Sequence, residues 1–235
     1  MRMPIGCLLV FLGCGLAVAE GDIPVRITED IAYVDLTTGG ETVRIQRIQD
    51  EEHVIDGGFA KTSRKCPPFC IHPISVAPGV ETIGEIELLE FLKTDVQNGT
   101  GIVIDARTPS WYQKGTIPGS INIPFTDFTE DPQSVTVIKL MERLGVVSGP
   151  PEDSWAGKLT AWAWSAGLAS PEGMMWDFTR AKRLVLWCNG PWCDQSPRAI
   201  KSLLALGYPA EKILYYRGGM QLWQIFGLTV VMPEA

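Results

Sequence analysis

Histidine is almost missing from this chain. Only His53 and His72 occur, both in the N-terminal third. No cysteine motif of the C-terminal half therefore carries a histidine beside it, and a local Cys-His nucleophilic pair is ruled out there. Lysine and arginine runs are missing too, and the formal net charge is −7. That excludes a polybasic nucleic-acid surface, so no nucleic-acid partner is expected. No apolar run is long enough to cross the ~30 Å hydrocarbon core of a bilayer. The haem-attachment pattern Cys-x2-Cys-His is absent, because the chain reads Cys66-x3-Cys70-Ile71-His72. Those three residues are too few for a closed zinc site and no second cluster accompanies them, so a small local disulfide between Cys66 and Cys70 is the plainer expectation. No metal and no cofactor is expected. No internal repeat is visible.

What is present is enough apolar material for a real core. Hydrophobic residues make up 46% of 235 positions, which suits one large domain or one domain plus a small unit. Residues 1–19 read as a secretory signal peptide. Arg2 supplies the positive start, Leu8 to Leu16 are apolar, and Ala17-Val18-Ala19 forms an A-x-A cleavage site before Glu20. Leu12-Gly13-Cys14 is a second possibility, a lipoprotein attachment site, which Phe11 suits poorly. Cleavage removes Cys7 and Cys14 and leaves two close pairs, Cys66 with Cys70 and Cys188 with Cys193, in a compartment expected to be oxidising. After cleavage no membrane span is expected.

Residues 20–65 read as a small β-rich unit. Ile31 to Leu36 and Thr42 to Ile48 are strand-like, with a hairpin signal at Thr37-Thr38-Gly39-Gly40. A Cys/Pro linker occupies 66–81. Residues 82–235 form the main domain, with an insertion at about 126–180. Thr82 to Leu92 predicts a helix capped by Thr82, with Glu85 completing a capping box. Ile102 to Asp105 and Ser120 to Ile123 predict strands. Val137, Leu140, Met141 and Leu144 have helical spacing. Alternating strands and helices imply an α/β fold with a parallel sheet, whose ligand sites lie at the carboxyl ends of strands. The insertion carries Trp155, Trp162, Trp164, Met174, Met175 and Trp176. It reads either as a lid packed over the sheet or as an exposed surface for a protein partner.

The most informative segment runs from Leu184 to Ser196. The apolar stretch Leu184-Val185-Leu186-Trp187 predicts a buried parallel strand. It ends in Cys188, a turn with Gly190 and Pro191 follows, and a helical pattern opens at Ser196-Pro197, with Ser196 suited to the cap. Cys188 is thus placed before a helix N-terminus, where backbone N–H groups and the helix dipole stabilise a thiolate, a persulfide or an oxyanion.

This loop, Cys188-Asn189-Gly190-Pro191-Trp192-Cys193-Asp194-Gln195-Ser196, resembles that of the rhodanese family of sulfurtransferases, in an exported bacterial subgroup. Two further segments carry the likeness: Val103-Ile104-Asp105-Ala106-Arg107 with Gly115-Thr116-Ile117-Pro118-Gly119, and Ile213 to Tyr216 followed by Arg217-Gly218-Gly219-Met220. It spans roughly residues 82–232. Thr116 stands where the family commonly has histidine, and Ser196 follows the cysteine by eight positions instead of six. The related phosphatase and arsenate-reductase branch needs Cys-x5-Arg; that place is held by Asp194, which would repel a dianion.

The resemblance implies a rhodanese-like parallel sheet flanked by helices and a periplasmic sulfurtransferase. A Cys188 persulfide would carry sulfane sulfur from a small sulfur-containing anion such as thiosulfate, or from a persulfide donor, to a thiol acceptor. The substrate-binding candidates are Asn189, Gly190, Trp192, Cys193, Asp194, Gln195 and Ser196, with Arg107 and Arg217 as handles for the anion or as structural ion-pair partners. Cys193 is open to three roles: resolving thiol, second sulfur carrier, or buried cap of the loop. Two other functions stand beside transfer: a thiol–disulfide redox protein using Cys188 and Cys193, and a non-catalytic module that recruits a partner through the Trp-rich insertion.

Overall fold

The computed structural model describes residues 23–38, 40–148, 155, 158, 159, 162, 163 and 176–233. The signal-like segment 1–19, and Trp164, Met174 and Met175 of the insertion, lie outside them. Among the described residues no helix is long and apolar enough to cross a membrane.

Five short strands build the central sheet: β3 (Glu81–Ile83), β4 (Gly101–Asp105), β5 (Ser120–Asn122), β8 (Arg183–Trp187) and β9 (Ile213–Tyr216). Their order is β3-β9-β8-β4-β5 and every neighbouring pair is parallel. Side chains alternate faces along each strand. Ile104, Leu184, Leu186, Ile213 and Tyr215 join one apolar cluster, while Val103, Val185, Trp187, Leu214 and Tyr216 join the other. Both faces are covered, which is why β8 reads as an uninterrupted apolar run.

Helix α3 (Val135–Arg143) and helix α4 (Gln195–Ala205) cover the first face. They contribute Val137, Leu140 and Met141, and Ala199, Ile200 and Leu203. Helix α1 (Glu85–Phe91) and helix α5 (Gly219–Ile225) cover the second with Leu88, Leu89, Met220 and Trp223. A short helix α2 (Pro109–Tyr112) follows β4. The fold is therefore an α/β sandwich of three layers, with a rhodanese-like parallel sheet at its centre.

The N-terminal hairpin, β1 (Tyr33–Thr38) and β2 (Glu41–Gln46), is antiparallel with Thr38 opposite Glu41. Its Val34, Leu36 and Ile45 enter the second cluster beside α1 and Trp223. The chain after α5 returns to it: the Thr229 amide donates to the Gln46 carbonyl at 3.1 Å, and that of Ile48 to Gly227 at 2.8 Å.

In the insertion, β6 (Val147–Ser148) pairs antiparallel with β7 (Trp176–Asp177), which sets Val147 opposite Asp177. Trp176 is half-buried against the first cluster, whereas Trp155 and Trp162 are exposed.

Two expectations about helix starts are corrected. Thr82 lies inside strand β3, and its hydroxyl donates to the Ile74 carbonyl at 2.6 Å. Helix α1 starts one turn later, with the Glu87 carboxylate accepting from the Gly84 amide at 3.0 Å. Ser196 does not cap α4, which Asp194 precedes; its hydroxyl is held by a sulfur instead.

Candidate functional site

Strand β8 delivers Cys188 to the carboxyl end of the sheet, and the loop 189–194 turns it into α4. The Cys193 amide donates to the Gly190 carbonyl at 2.9 Å and tightens that turn. The loop is gripped from behind by the start of α5: the Met220 and Gln221 amides donate to the Cys188 and Asn189 carbonyls, each at 3.0 Å. Gly219 makes this approach possible. Its φ is +55°, and a Cβ there would fall 2.2 Å from the Cys188 carbonyl oxygen.

Cys188 and Cys193 are both free thiols and both buried. The Ser196 hydroxyl donates to Cys188 Sγ at 3.0 Å. Burial pushes the Cys188 thiol up, but hydrogen bonds from the Cys193 thiol, the Ser196 hydroxyl and the Ser196 and Gly190 amides together draw it below its ordinary value. Cys193 moves the opposite way. Burial and its bond to the Cys188 sulfur keep it protonated. Cys188 is thus the more acidic thiol of the pair and Cys193 the less acidic. Tyr215, just behind on β9, is likewise held neutral by burial and by the Cys188 charge.

Above the loop lies a cavity of about 270 Å³ lined by Asn189, Trp192, Cys193, Asp194 and Gln195, and by Trp111 of α2. Its remaining walls come from the N-terminal third: Arg64, Pro68 and Phe69. Phe69 meets the Trp192 ring edge-on at 5.6 Å. Cys66 and Cys70 are placed as a disulfide pair with Cα atoms 4.6 Å apart, which closes the small ring that carries Phe69. The His72 amide donates to the Pro191 carbonyl at 2.9 Å. Gln221 accepts from Trp192 Nε1 at 2.7 Å and donates to the Phe59 carbonyl at 3.0 Å, tying the loop to the N-terminal segment.

The structure thus gathers the Cys188 loop residues at one place but leaves two expected handles out. Arg107 is 1% exposed and locked to the buried Asp105 carboxylate, with Nη2 to Oδ2 at 2.6 Å and a further bond to the Gly115 carbonyl. Thr116 completes that group by donating to the same carboxylate at 3.0 Å, which accounts for a residue shorter than histidine there. Arg217 spends its guanidinium on the His72 and Pro73 carbonyls at 2.7 and 3.2 Å. Neither arginine lines the cavity, so the structural alternative describes both. Asp194 lies at the cavity edge with its carboxylate 4.0 Å from Arg198.

Sequence reasoning missed Arg64, Phe69, Trp111 and Gln221. The one available signal was an apolar aromatic held between two cysteines and two prolines, a residue too costly to fix at a surface unless it packs on something.

Among solved structures the chain is similar to a rhodanese-related protein of Thermoplasma volcanium, at 21% identity over 65% of this chain and 99% of that one, with a TM-score of 0.36. It is similar to the human single-domain sulfurtransferase at 17% identity, over 62% and 96%, with a TM-score of 0.34. A Rhodopseudomonas palustris protein described as a possible tyrosine phosphatase shares 19% identity over 66% and 88%, with a TM-score of 0.40. No curated protein matches the chain. The rhodanese-like domain matches residues 88–225, more than half of the sequence and the whole span from α1 through the Cys188 loop to α5, and the chain belongs to that family.

Proposed function

We propose that this protein is an exported sulfurtransferase that carries sulfane sulfur on Cys188. The observation that carries the reading is a buried cysteine at the carboxyl end of a parallel strand, its sulfur accepting from the Ser196 hydroxyl at 3.0 Å and its thiol drawn below the ordinary value by its hydrogen-bonding neighbours. The Cys188 thiolate attacks the outer sulfur of thiosulfate. The S–S bond breaks, its electron pair leaves on sulfite, and Cys188 becomes a persulfide. An acceptor thiolate then attacks the terminal sulfur of that persulfide, takes it, and returns Cys188 as a thiolate. Charge balances in both steps and no oxidant is needed. The loop amides and the Ser196 hydroxyl that hold the thiolate serve equally to hold the persulfide anion. The signal-like segment 1–19 and the paired Cys66 and Cys70 support a periplasmic setting.

The contact between the two loop thiols favours one second reading, a thiol–disulfide redox protein using Cys188 and Cys193. Against it, Cys193 would have to lose its proton to attack a mixed disulfide on Cys188, and its burial opposes that. A mass spectrum of the protein after thiosulfate treatment separates the two. Transfer adds one sulfur atom at Cys188, and Cys188→Ser abolishes the gain; loss of two hydrogens instead, with Cys188 and Cys193 bridged, supports the redox reading. Sulfur uptake that survives in Cys188→Ser would overturn the assignment.

A further inference from the structure

An anionic sulfur donor must meet a positive group before its sulfur reaches a thiolate, and this chain is acidic. The basic side chains around the loop are nearly all committed: Arg107 to Asp105, Arg217 to two carbonyls, Arg198 toward Asp194. Among the described residues lining the cavity, Arg64 is the one cation. Its guanidinium carbon lies 4.1 Å from the Trp192 ring centre and 5.3 Å from that of Phe69, and Nη2 donates to the Gly58 carbonyl. Its Nε–H is buried without a partner, and among the described residues no carboxylate pairs with it.

Asn189, 4% exposed and on the cavity wall, has a buried Oδ1 without a partner. Arg64 and Asn189 thus border one space beside Cys193, whose carbonyl oxygen lies 3.4 Å from Cys188 Sγ. Trp111, Phe69 and Trp192 give that space aromatic walls.

We propose that Arg64, contributed from outside the family domain, is the residue that holds the anionic end of the sulfur donor above Cys193 and Cys188. Arg64 acts here as a binding residue, supported by π-contact with Trp192, and the inference rests on the sulfurtransferase reading. It makes the N-terminal segment 57–72 part of the substrate site, with the Cys66–Cys70 ring as the brace that keeps Phe69 and Arg64 in place.

Two measurements test it. The first uses Cys188→Ser protein, which cannot turn over, and titrates thiosulfate by calorimetry. Adding Arg64→Gln is expected to weaken binding by about tenfold or more, and Arg64→Lys by less, because lysine keeps the charge and loses the planar fork. The second compares sulfur uptake from thiosulfate with uptake from dimethyl trisulfide, an uncharged donor that gives up its central sulfur and leaves as dimethyl disulfide. Arg64→Gln is expected to raise KM for thiosulfate with kcat little changed, and to leave the trisulfide reaction intact. Thiosulfate affinity within about twofold of the parent would overturn the inference, as would equal losses with both donors, which mark a purely structural arginine. If neither donor loads Cys188, the sulfurtransferase reading fails, and the calorimetric titration still decides whether Arg64 holds an anion.

Discussion

Burial alone would push the Cys188 thiol up, and its hydrogen-bonding neighbours outweigh that. Of the donors, the Ser196 hydroxyl is the one a substitution removes cleanly. A hydrogen bond to a charged group contributes about 1.5–3 kcal/mol, and one pKa unit corresponds to about 1.4 kcal/mol. Transfer requires the thiolate, so its rate rises with pH through the depressed Cys188 value. Ser196→Ala is expected to move that acid limb upward by about one pH unit, with little change on the plateau. A pH–rate profile in which the limb stays in place would refute the role of the hydroxyl. The same depression carries a stability term: folding gains as pH rises from the lowered Cys188 value toward the ordinary one, and that gain is lost on acidification. The place of Cys188, at the end of a buried parallel strand, was legible in the sequence. The role of Ser196 was not, because spacing alone cannot say whether a hydroxyl turns to a helix amide or to a sulfur. Arg107 and Arg217 show the same limit: charge is visible in a sequence, but the partner that uses it is not.

Among the elements, β8 was legible because burial on both faces demands an unbroken apolar run, and α3 because one buried stripe imposes helical spacing. Strand β3 was not. Its Glu81-Thr82-Ile83 is too short and too polar to show a period, and it abuts α1 so closely that the two read as one helix. The junction between β9 and α5 is where the elements meet the chemistry. A methyl group at Gly219 would strike the Cys188 carbonyl oxygen at 2.2 Å and the Gly190 nitrogen at 2.8 Å, both backbone atoms that cannot swing aside. The positive φ adds strain of its own. Gly219→Ala is therefore expected to push the Cys188 loop out of register with α5. The protein should lose about 1–3 kcal/mol of stability and most of its sulfur uptake. Thermal melting together with the mass-gain assay checks it; near-parental values of both would mean that the loop does not depend on this contact.

On the scale of the whole molecule, the sequence suggested a β-rich unit, a linker and a main domain, and the structure shows contacts that run between them. The 57–72 segment walls the cavity, the C-terminal tail pairs with Gln46 to Ile48, and Leu36 of the hairpin is completely buried beside Leu92 and Gly119. None of this was legible, because contacts between residues far apart in sequence leave no local period, and an apolar residue in a hairpin looks the same whether it meets its own unit or another. The packing has a thermodynamic consequence. If hairpin and sheet share one core, a cavity cut at Leu36 must weaken both together. Leu36→Ala is expected to cost about 2–5 kcal/mol and to lower a single unfolding transition, with Trp fluorescence and far-UV circular dichroism moving together. The argument would be sunk by two separated transitions, or by a hairpin that loosens while the sheet melts at its parental temperature. Either result would also detach Arg64 and Phe69 from the fate of the sheet, since the segment that carries them enters the fold through β2.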